Sequence, residues 1–400
     1  YNNIIFYLLL LLLLLLLYYY YIIIIFSIDD EKICYVLPFS FSFFFLVMIA
    51  VVVIGTQRKK DISHFVANMT SMVKCNEDVR GITCSAPGKV LIAGGYLVLD
   101  RPNIGLTIAT SSKFHTTTAW KTYNNSDDKN KLYGIKKPLD GEALLLSIVV
   151  YSPQFNTTYK YKIKYIQDKV VLFDVSRELH EEVSESVEDK NNNSETKVPS
   201  RNPYIETCIT YSITLIIISQ KIMNKDWTLS PINISNIFPD PLKKYLHVKL
   251  EADNSFYSQR SELQRLGWPE TVASLRRLPP CRPLKKVNKT GLGSSAALVT
   301  SFVASILSIF DVVNLPTKAT LEERTRGSFG LEFVHRVAQV VHIVAQGKVG
   351  SGFDVCAACF GSNRYVRCNP EILWPVLNQE EGEEKDKSNN PIINKLNSLV

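Results

Sequence analysis

The sequence predicts an α+β fold, and three observations predict it. Residues 82–120 and 144–175 read as strands before any helical pattern begins. The first helix starts only near residue 204, and one further strand, 246–252, precedes two more helices at 295–310 and 331–346. A doubly wound sheet needs strand and helix to alternate, and this order does not.

Within 82–120 the strand signal comes in four pieces: Ile82-Thr83-Cys84, Val90 to Ala93, Thr107 to Thr110, and His115 to Trp120. Glycine-containing breaks separate them. Asn124 to Asn130 is a polar turn, and 144–175 is again rich in Val, Ile, Tyr and Thr. Residues 177–200 are Glu, Ser, Asn and Lys with scarcely an apolar anchor, so they read as a solvated, disordered loop. Pro203 then opens a helix over Tyr204 to Lys221, and 259–287 is an irregular, basic, Pro-rich stretch. In the last helix, Phe333, Val334, Val337, Val340, Val341 and Val344 recur at helical spacing and mark a buried face.

Four hundred residues can build two domains with sizeable cores. The net charge of +7 suits a protein that holds anionic ligands. No Lys/Arg block is interleaved with aromatics, so nucleic acid is excluded as a partner, and no obligate protein partner is inferred. The eight cysteines are scattered rather than spaced as a disulfide scaffold, which suits a reducing compartment. Cys356-Ala-Ala-Cys359 has redox-motif spacing but lies in an apolar run with no zinc-completing pair, so it reads as core packing.

Residues 1–68 are set apart from the fold. Segments 4–26 and 33–55 are each uncharged and long enough to span a bilayer, since about twenty apolar residues suffice. Arg58-Lys59-Lys60 after the second would keep everything downstream in the cytosol. The near-homopolymer of Leu, Tyr and Ile is also low in complexity, and Met69 or Met72 offers a start just ahead of the first chemical motif. The segment therefore reads as translated upstream sequence or as a membrane anchor, and a membrane partner follows only from the second reading.

Three constellations carry chemistry. In KTGLGSSAA, residues 289–297, Gly291 and Gly293 permit positive φ and close backbone approach. Ser294 and Ser295 follow where a helix begins, so unpaired N–H groups and the helix dipole converge on a phosphate-sized anion. Their hydroxyls can cap the helix or reach a phosphate-bound magnesium ion. In SAPGKVLIAGGYLVLD, residues 85–100, a Pro87-Gly88 turn delivers Lys89 to the head of an apolar strand. In HIVAQGKVGSGFDVCAACFGSNRY, residues 342–365, a Gly350-Ser351-Gly352 turn leads to Asp354 at the edge of an apolar run. A carboxylate there costs free energy unless a cation or hydrogen bonds satisfy it, although it also reads as a helix cap. His335 and His342 are seven apart, not the spacing of a zinc pair, and read as packing or surface residues, His342 with a chance of lining the site.

Taken in order, these blocks resemble the GHMP kinases, and among them the eukaryotic phosphomevalonate kinases. SRNPYIE (200–206), ADNSFYSQR (252–260) and GSNRY (361–365) add to the resemblance, which covers 83–375. It implies a GHMP kinase fold: an N-terminal ribosomal-protein-like domain over 83–375 and a ferredoxin-like C-terminal domain with the active site between them. It also implies transfer of the γ-phosphoryl of ATP, with magnesium, to 5-phosphomevalonate in isoprenoid and sterol synthesis. Mevalonate kinase is the sister reading, and a non-catalytic membrane-anchored nucleotide binder is a third. By the resemblance Lys89 and Asp354 face each other at the reacting phosphates. Lys289, Gly291, Leu292, Gly293, Ser294 and Ser295 hold the triphosphate, and the two serines also hold the metal. Cations are needed for a substrate with a phosphate and a carboxylate, and Arg260, Lys348 and Arg364 are candidates, with Tyr96, Ser351 and Gly352 beside them. The setting implied is cytoplasmic, membrane-anchored facing the cytosol, or peroxisomal. Asn288 stands where the family commonly has proline, and no Gly-Ala-Gly-Gly-Tyr-Asp block is present. Residues 376–400 are expected to be a linker and the start of a truncated second domain.

Overall fold

The run of β-formers that begins at Ile82 makes two long strands rather than four short ones. In the computed structural model the described residues are 81–123, 142–166, 169–175, 201–223, 233, 236–284, 287–315 and 329–372. All of them belong to one compact unit, Val52–Ser398 with Val400. Strand β1, Ile82–Ala93, pairs antiparallel with β2, Ile104–Thr122, with register shifts at Pro87/Lys89 and Leu91/Ala93. Gly88 does not interrupt β1. It lets other chains come close: a Cβ there would lie 2.8 Å from Thr110 Oγ1 and 2.9 Å from the Leu292 carbonyl oxygen. The strand ends where Gly94 takes φ of 113° and the chain turns into a 3-10 segment, Gly95–Leu99.

The remaining elements follow in the expected order. Strands β3 (Glu142–Ser152), β4 (Thr157–Ile166) and β5 (Lys169–Asp174) precede helix α1 (Pro203–Met223) and strand β6 (Lys244–Ala252). Two six-residue helices, α2 (Arg260–Arg265) and α3 (Val272–Arg277), lie within the stretch expected to be irregular. Next come α4 (Ser294–Ile309), α5 (Phe329–Gln346), α6 (Phe353–Phe360) and strand β7 (Asn363–Val366). Among the described residues the sheet has seven strands in the order β1-β2-β6-β3-β4-β5, with β7 beside the Ile104–Thr107 end of β2. Pairs are antiparallel except β3 with β6, so the sheet is mixed and the fold α+β.

The helices cover one face of the sheet. Helix α4 packs on β1 and β2, α5 packs on α1 and α4, and α6 packs on β1. Phe302, Val303 and Leu307 of α4 are fully buried, each contributing roughly 1.5–3 kcal/mol by leaving water. Between them a polar seam runs through the core: Thr116 pairs with Ser301 and Thr118 with Ser305, each at 2.8 Å and all four buried. On α5, Val334, Val337 and Val341 are buried as expected, with Phe333, Val340 and Val344 packed against the core. The outer sheet face near β7 is unusually apolar, with Val90, Ile92, Ile104, Leu106, Ile108 and Val366 exposed.

Cys356 and Cys359 lie on α6 as packing residues. Burial pushes the Cys356 thiol up to about 11 and the Cys359 thiol higher still, which leaves both inert. No helix among the described residues is long and apolar enough to cross a membrane. Residues 1–68, the 177–200 loop and residues 376–400 lie outside the described residues, as does the turn at 124–130.

Candidate active site

The first glycine turn is built by backbone. Gly291 and Gly293 adopt φ of 85° and 79°, the left-handed region that favours glycine, and Gly293 is the residue from which α4 starts. Ala297 N–H donates to the Gly293 carbonyl, so the amides of Ser294, Ser295 and Ala296 precede the first bond of the helix. The turn is anchored on both sides. Lys89 N–H donates to the Leu292 carbonyl at 2.8 Å, and Thr290 donates through its amide to Phe256 and through its hydroxyl to Ser255. A bridge between Tyr257 and Lys289 extends the contact. Ser294 sits by the Tyr257 hydroxyl, which burial raises to about 12, and Ser295 sits by the Tyr204 hydroxyl, also raised by burial. Tyr204 is held because Asn202 caps α1 through its side chain and Pro203 takes the first helical position.

Side chains build the second turn. Four consecutive carbonyls, 349 to 352, each accept from a distant residue. Arg367 donates to Val349 and Gly350, Tyr365 to Ser351 at 2.6 Å, and Gln339 to Gly352 at 2.7 Å. Arg367 also reaches the Leu99 carbonyl, tying in the 3-10 segment. Gly352 has φ of 81°, and a Cβ on it would meet the Tyr365 hydroxyl at 2.8 Å. Asp354 follows in the first turn of α6, with Oδ1 accepting from the Val355 amide.

Lys89 joins the two turns. Its Nζ donates to the Gly291 carbonyl at 2.8 Å and lies 5.6 Å from the centroid of the Phe353 ring, the residue before Asp354. His342 makes a second link, with Nε2 at 3.2 Å from Ser295 Oγ and 4.0 Å from Asp354 Oδ2.

The structure thus brings together Lys89, Gly291, Leu292, Gly293, Ser294, Ser295, Ser351, Gly352 and Asp354, with Lys289 at the turn's start. Other expected substrate residues lie differently. Arg260 pairs with Glu270 at 2.8 Å, Tyr96 is 92% exposed on the 3-10 segment, and Lys348 is exposed just past α5. Arg364 alternates with inward-facing Tyr365 on β7 and is exposed opposite Leu106 on the outer face. Sequence reasoning missed Gln339, Tyr365 and Arg367, along with the part played by Tyr204 and Tyr257. One signal for part of this set was present: His335, Gln339, His342 and Gln346 form a polar stripe at helical spacing on an otherwise apolar helix.

Fold and site together define an α+β protein with a candidate anion-binding centre at two glycine turns that each open a helix. Over 73% of its length the chain is homologous to proteins named phosphomevalonate kinase. It is 33% identical over 312 residues to "Phosphomevalonate kinase, peroxisomal" of Arabidopsis thaliana, covering 51% of that protein. It is 31% identical over 305 residues to phosphomevalonate kinase erg8 of Aspergillus fumigatus, covering 52% of it. The chain therefore spans about half the length of the curated relatives it matches. No family model matches it. Among solved structures it is 12% identical to Streptococcus pneumoniae phosphomevalonate kinase in complex with phosphomevalonate and AMPPNP, with TM-score 0.36, covering 75% of this chain and 56% of that one. Methanococcus jannaschii mevalonate kinase gives 11% identity and TM-score 0.32, covering 71% of this chain and 52% of that one. Likenesses this loose bear no weight for the site.

Proposed function

We propose that this chain belongs to an ATP-dependent kinase that phosphorylates 5-phosphomevalonate to 5-diphosphomevalonate, a step in the mevalonate route to isoprenoids and sterols. The observation that carries the reading is Lys89, one ammonium that donates to the first glycine turn and lies 5.6 Å from the ring centroid of Phe353, the residue that follows the second. Phosphoryl transfer is mostly positioning plus neutralisation of charge, and a cation between two sets of helix-terminal amides supplies both. The acceptor is a phosphate monoester with a second pKa of about 6, already mostly ionised at neutral pH. Asp354 therefore acts by orienting groups rather than by taking a proton. The homology over 73% of the chain supports the acceptor's identity.

ATP lies with its phosphates on the amides of Gly293 to Ala296. Asp354 and the serine hydroxyls would hold magnesium here, and the ion would supply Lewis-acid chemistry. The donors fit a hard ion: Asp354 and the serine hydroxyls offer oxygen, and no cluster of three metal-ligating side chains occurs among the described residues. That set suits an ion carried by the nucleotide rather than a protein cage. Lys348 and Arg260 remain the cations assigned to the substrate's anionic ends, with Ser351 and Gly352 in the turn and Tyr96 on the exposed 3-10 segment. Arg364 serves only if the substrate crosses to the outer face.

In this reading residues 83–375 form the ribosomal-protein-like domain of a GHMP kinase, and 376–400 lead toward a ferredoxin-like domain. Scattered free thiols support a reducing compartment, the cytosol first and, from the Arabidopsis relative's name, the peroxisome second. The test is coupled ADP release by a chain starting at Met69, with mevalonate and 5-phosphomevalonate supplied separately beside Mg-ATP. It is repeated on a chain extended to the relatives' length. Turnover with 5-phosphomevalonate alone is expected. Turnover with mevalonate instead, or silence from both chains while folded, overturns the reading.

A further inference from the structure

His342 is 4% exposed, and a polar ring so deeply buried needs defined partners. Its protonation can be read from Gln346. The Gln346 side-chain nitrogen lies 3.1 Å from the His342 carbonyl oxygen, which fixes the amide so that the NH2 end faces the helix. The same nitrogen lies 2.5 Å from His342 Nδ1 and 3.2 Å from Nε2, so its short contact is with Nδ1. An amide NH2 only donates, so Nδ1 accepts and the ring proton sits on Nε2. Nε2 in turn lies 3.2 Å from Ser295 Oγ and 4.0 Å from Asp354 Oδ2. The shorter distance selects Ser295 as acceptor and leaves Asp354 at ion-pair range. Tyr204 lies beside the ring, tilted 38° to it with 6.0 Å between centroids.

From this geometry we infer that His342 is a positioning residue: its Nε2–H fixes the Ser295 hydroxyl at the mouth of α4, beside an Asp354 carboxylate 4.0 Å from the same nitrogen. The inference rests on the phosphoryl-transfer reading of the site and deepens it. His342 couples the turn that takes the nucleotide's phosphates to the turn that carries Asp354, a link Lys89 alone makes only through a backbone carbonyl and a ring face. Four elements face the imidazole. Ser295 and Lys289 come from α4 and the turn before it, Tyr204 from α1, Gln346 from α5 itself and Asp354 from α6. Burial pushes the imidazole below its ordinary pKa, Asp354 opposes that and Lys289 reinforces it, so the ring is neutral near pH 7.

The test uses the full chain with nitrogen-15-labelled histidine. At pH 7 the His342 signals are expected to be those of the neutral Nε2–H tautomer and to move in both Ser295→Ala and Asp354→Asn. An imidazolium, an Nδ1–H tautomer, or indifference to either substitution overturns the inference. Affinity for Mg-ADP gives a second reading. His342→Ala is expected to weaken it about tenfold, the scale of one lost hydrogen bond near a charged group, and His342→Gln to recover most of that. The loss from His342→Ala should vanish in a Ser295→Ala background, because the two side chains act as one unit. Equal losses in both backgrounds would mean that the histidine only packs, and would overturn the role. If the wild-type chain binds no Mg-ADP, the kinase reading falls, while the tautomer and its response to the two substitutions still decide His342.

Discussion

The two glycine turns do similar jobs by different means. Each places a glycine of positive φ immediately before a helix. The first, at 291–293, is held mainly by backbone groups of neighbouring segments, with the Lys89 ammonium on the Gly291 carbonyl, and opens a 16-residue helix whose side chains are almost all buried. The second, at 350–352, is held by Gln339, Tyr365 and Arg367 and opens a helix of only eight residues. A turn held by backbone tolerates side-chain change around it. A turn held by side chains is only as rigid as they are.

The largest effect should come from the group the second turn exists to place. Asp354→Ala is expected to lower ADP release with 5-phosphomevalonate by about a thousandfold, while circular dichroism shows the fold retained. An activity within a few-fold of wild type would remove Asp354 from the chemistry. Next, alanine at the two turns should separate them directly. Gly352→Ala puts a Cβ 2.8 Å from the Tyr365 hydroxyl and 3.0 Å from Gln339, on top of the left-handed backbone. Its expected cost is about 3 kcal/mol in urea unfolding. Gly291→Ala bears only the backbone penalty, since nothing lies within 4 Å of the added atom, and should cost about 1 kcal/mol. Equal costs would erase the distinction between the turns.

A graded effect concerns pH and reaches the second turn through His335. Burial, helped by Arg336, lowers its pKa to about 4, against an ordinary value of 6.5. The unfolded chain therefore binds the proton first as pH falls, so stability is full above about 6.5 and is lost toward 4. About 2 kcal/mol should disappear between pH 6.5 and 4.5, and His335→Gln should flatten that slope. His335 Nε2 lies 3.2 Å from the same Gln339 nitrogen that binds the Gly352 carbonyl, so protonation sets donor against donor at that turn. An unchanged slope in the variant would show that His335 titrates elsewhere. His247, lowered by burial and by Lys121 and Lys249, acts in the same direction.

How much of this was legible follows from the same contrast. The α+β order, helix α4 and the first turn could be read because their causes are local: glycines, serines and an apolar run within a dozen residues. Asp354 could be picked out as a charge at the edge of an apolar run, whereas Lys89, taken alone, reads as a solvated strand residue and stood out only through the resemblance. Gln339, Tyr365 and Arg367 were not, because each acts on a carbonyl about 13 to 18 residues away in sequence, and no periodicity records that. Helices α2 and α3 are six residues each, too short to show a period, so 259–287 read as irregular. Arg364 was misjudged for a matter of parity. On a strand its neighbour Tyr365 faces the turn, so Arg364 must face away.

The hydroxyl seam between α4 and β2 sets a scale for how far the first glycine turn can wander. Thr116 and Thr118 are two residues apart on a strand, about 7 Å, and Ser301 and Ser305 are four apart on a helix, about 6 Å. The two rulers nearly coincide, so both pairs close together at 2.8 Å. Methyl groups would let the helix slide or roll against the sheet at little cost, because their contacts have no direction. Hydroxyls do not: moving α4 by one residue would part Thr116 and Thr118 from their serines, while Ser301 and Ser305 would keep only their bonds to carbonyls of their own helix. The seam acts as a detent. It clicks the helix into one axial position, and so backs up the two bonds from Lys89 that tie the turn itself to β1.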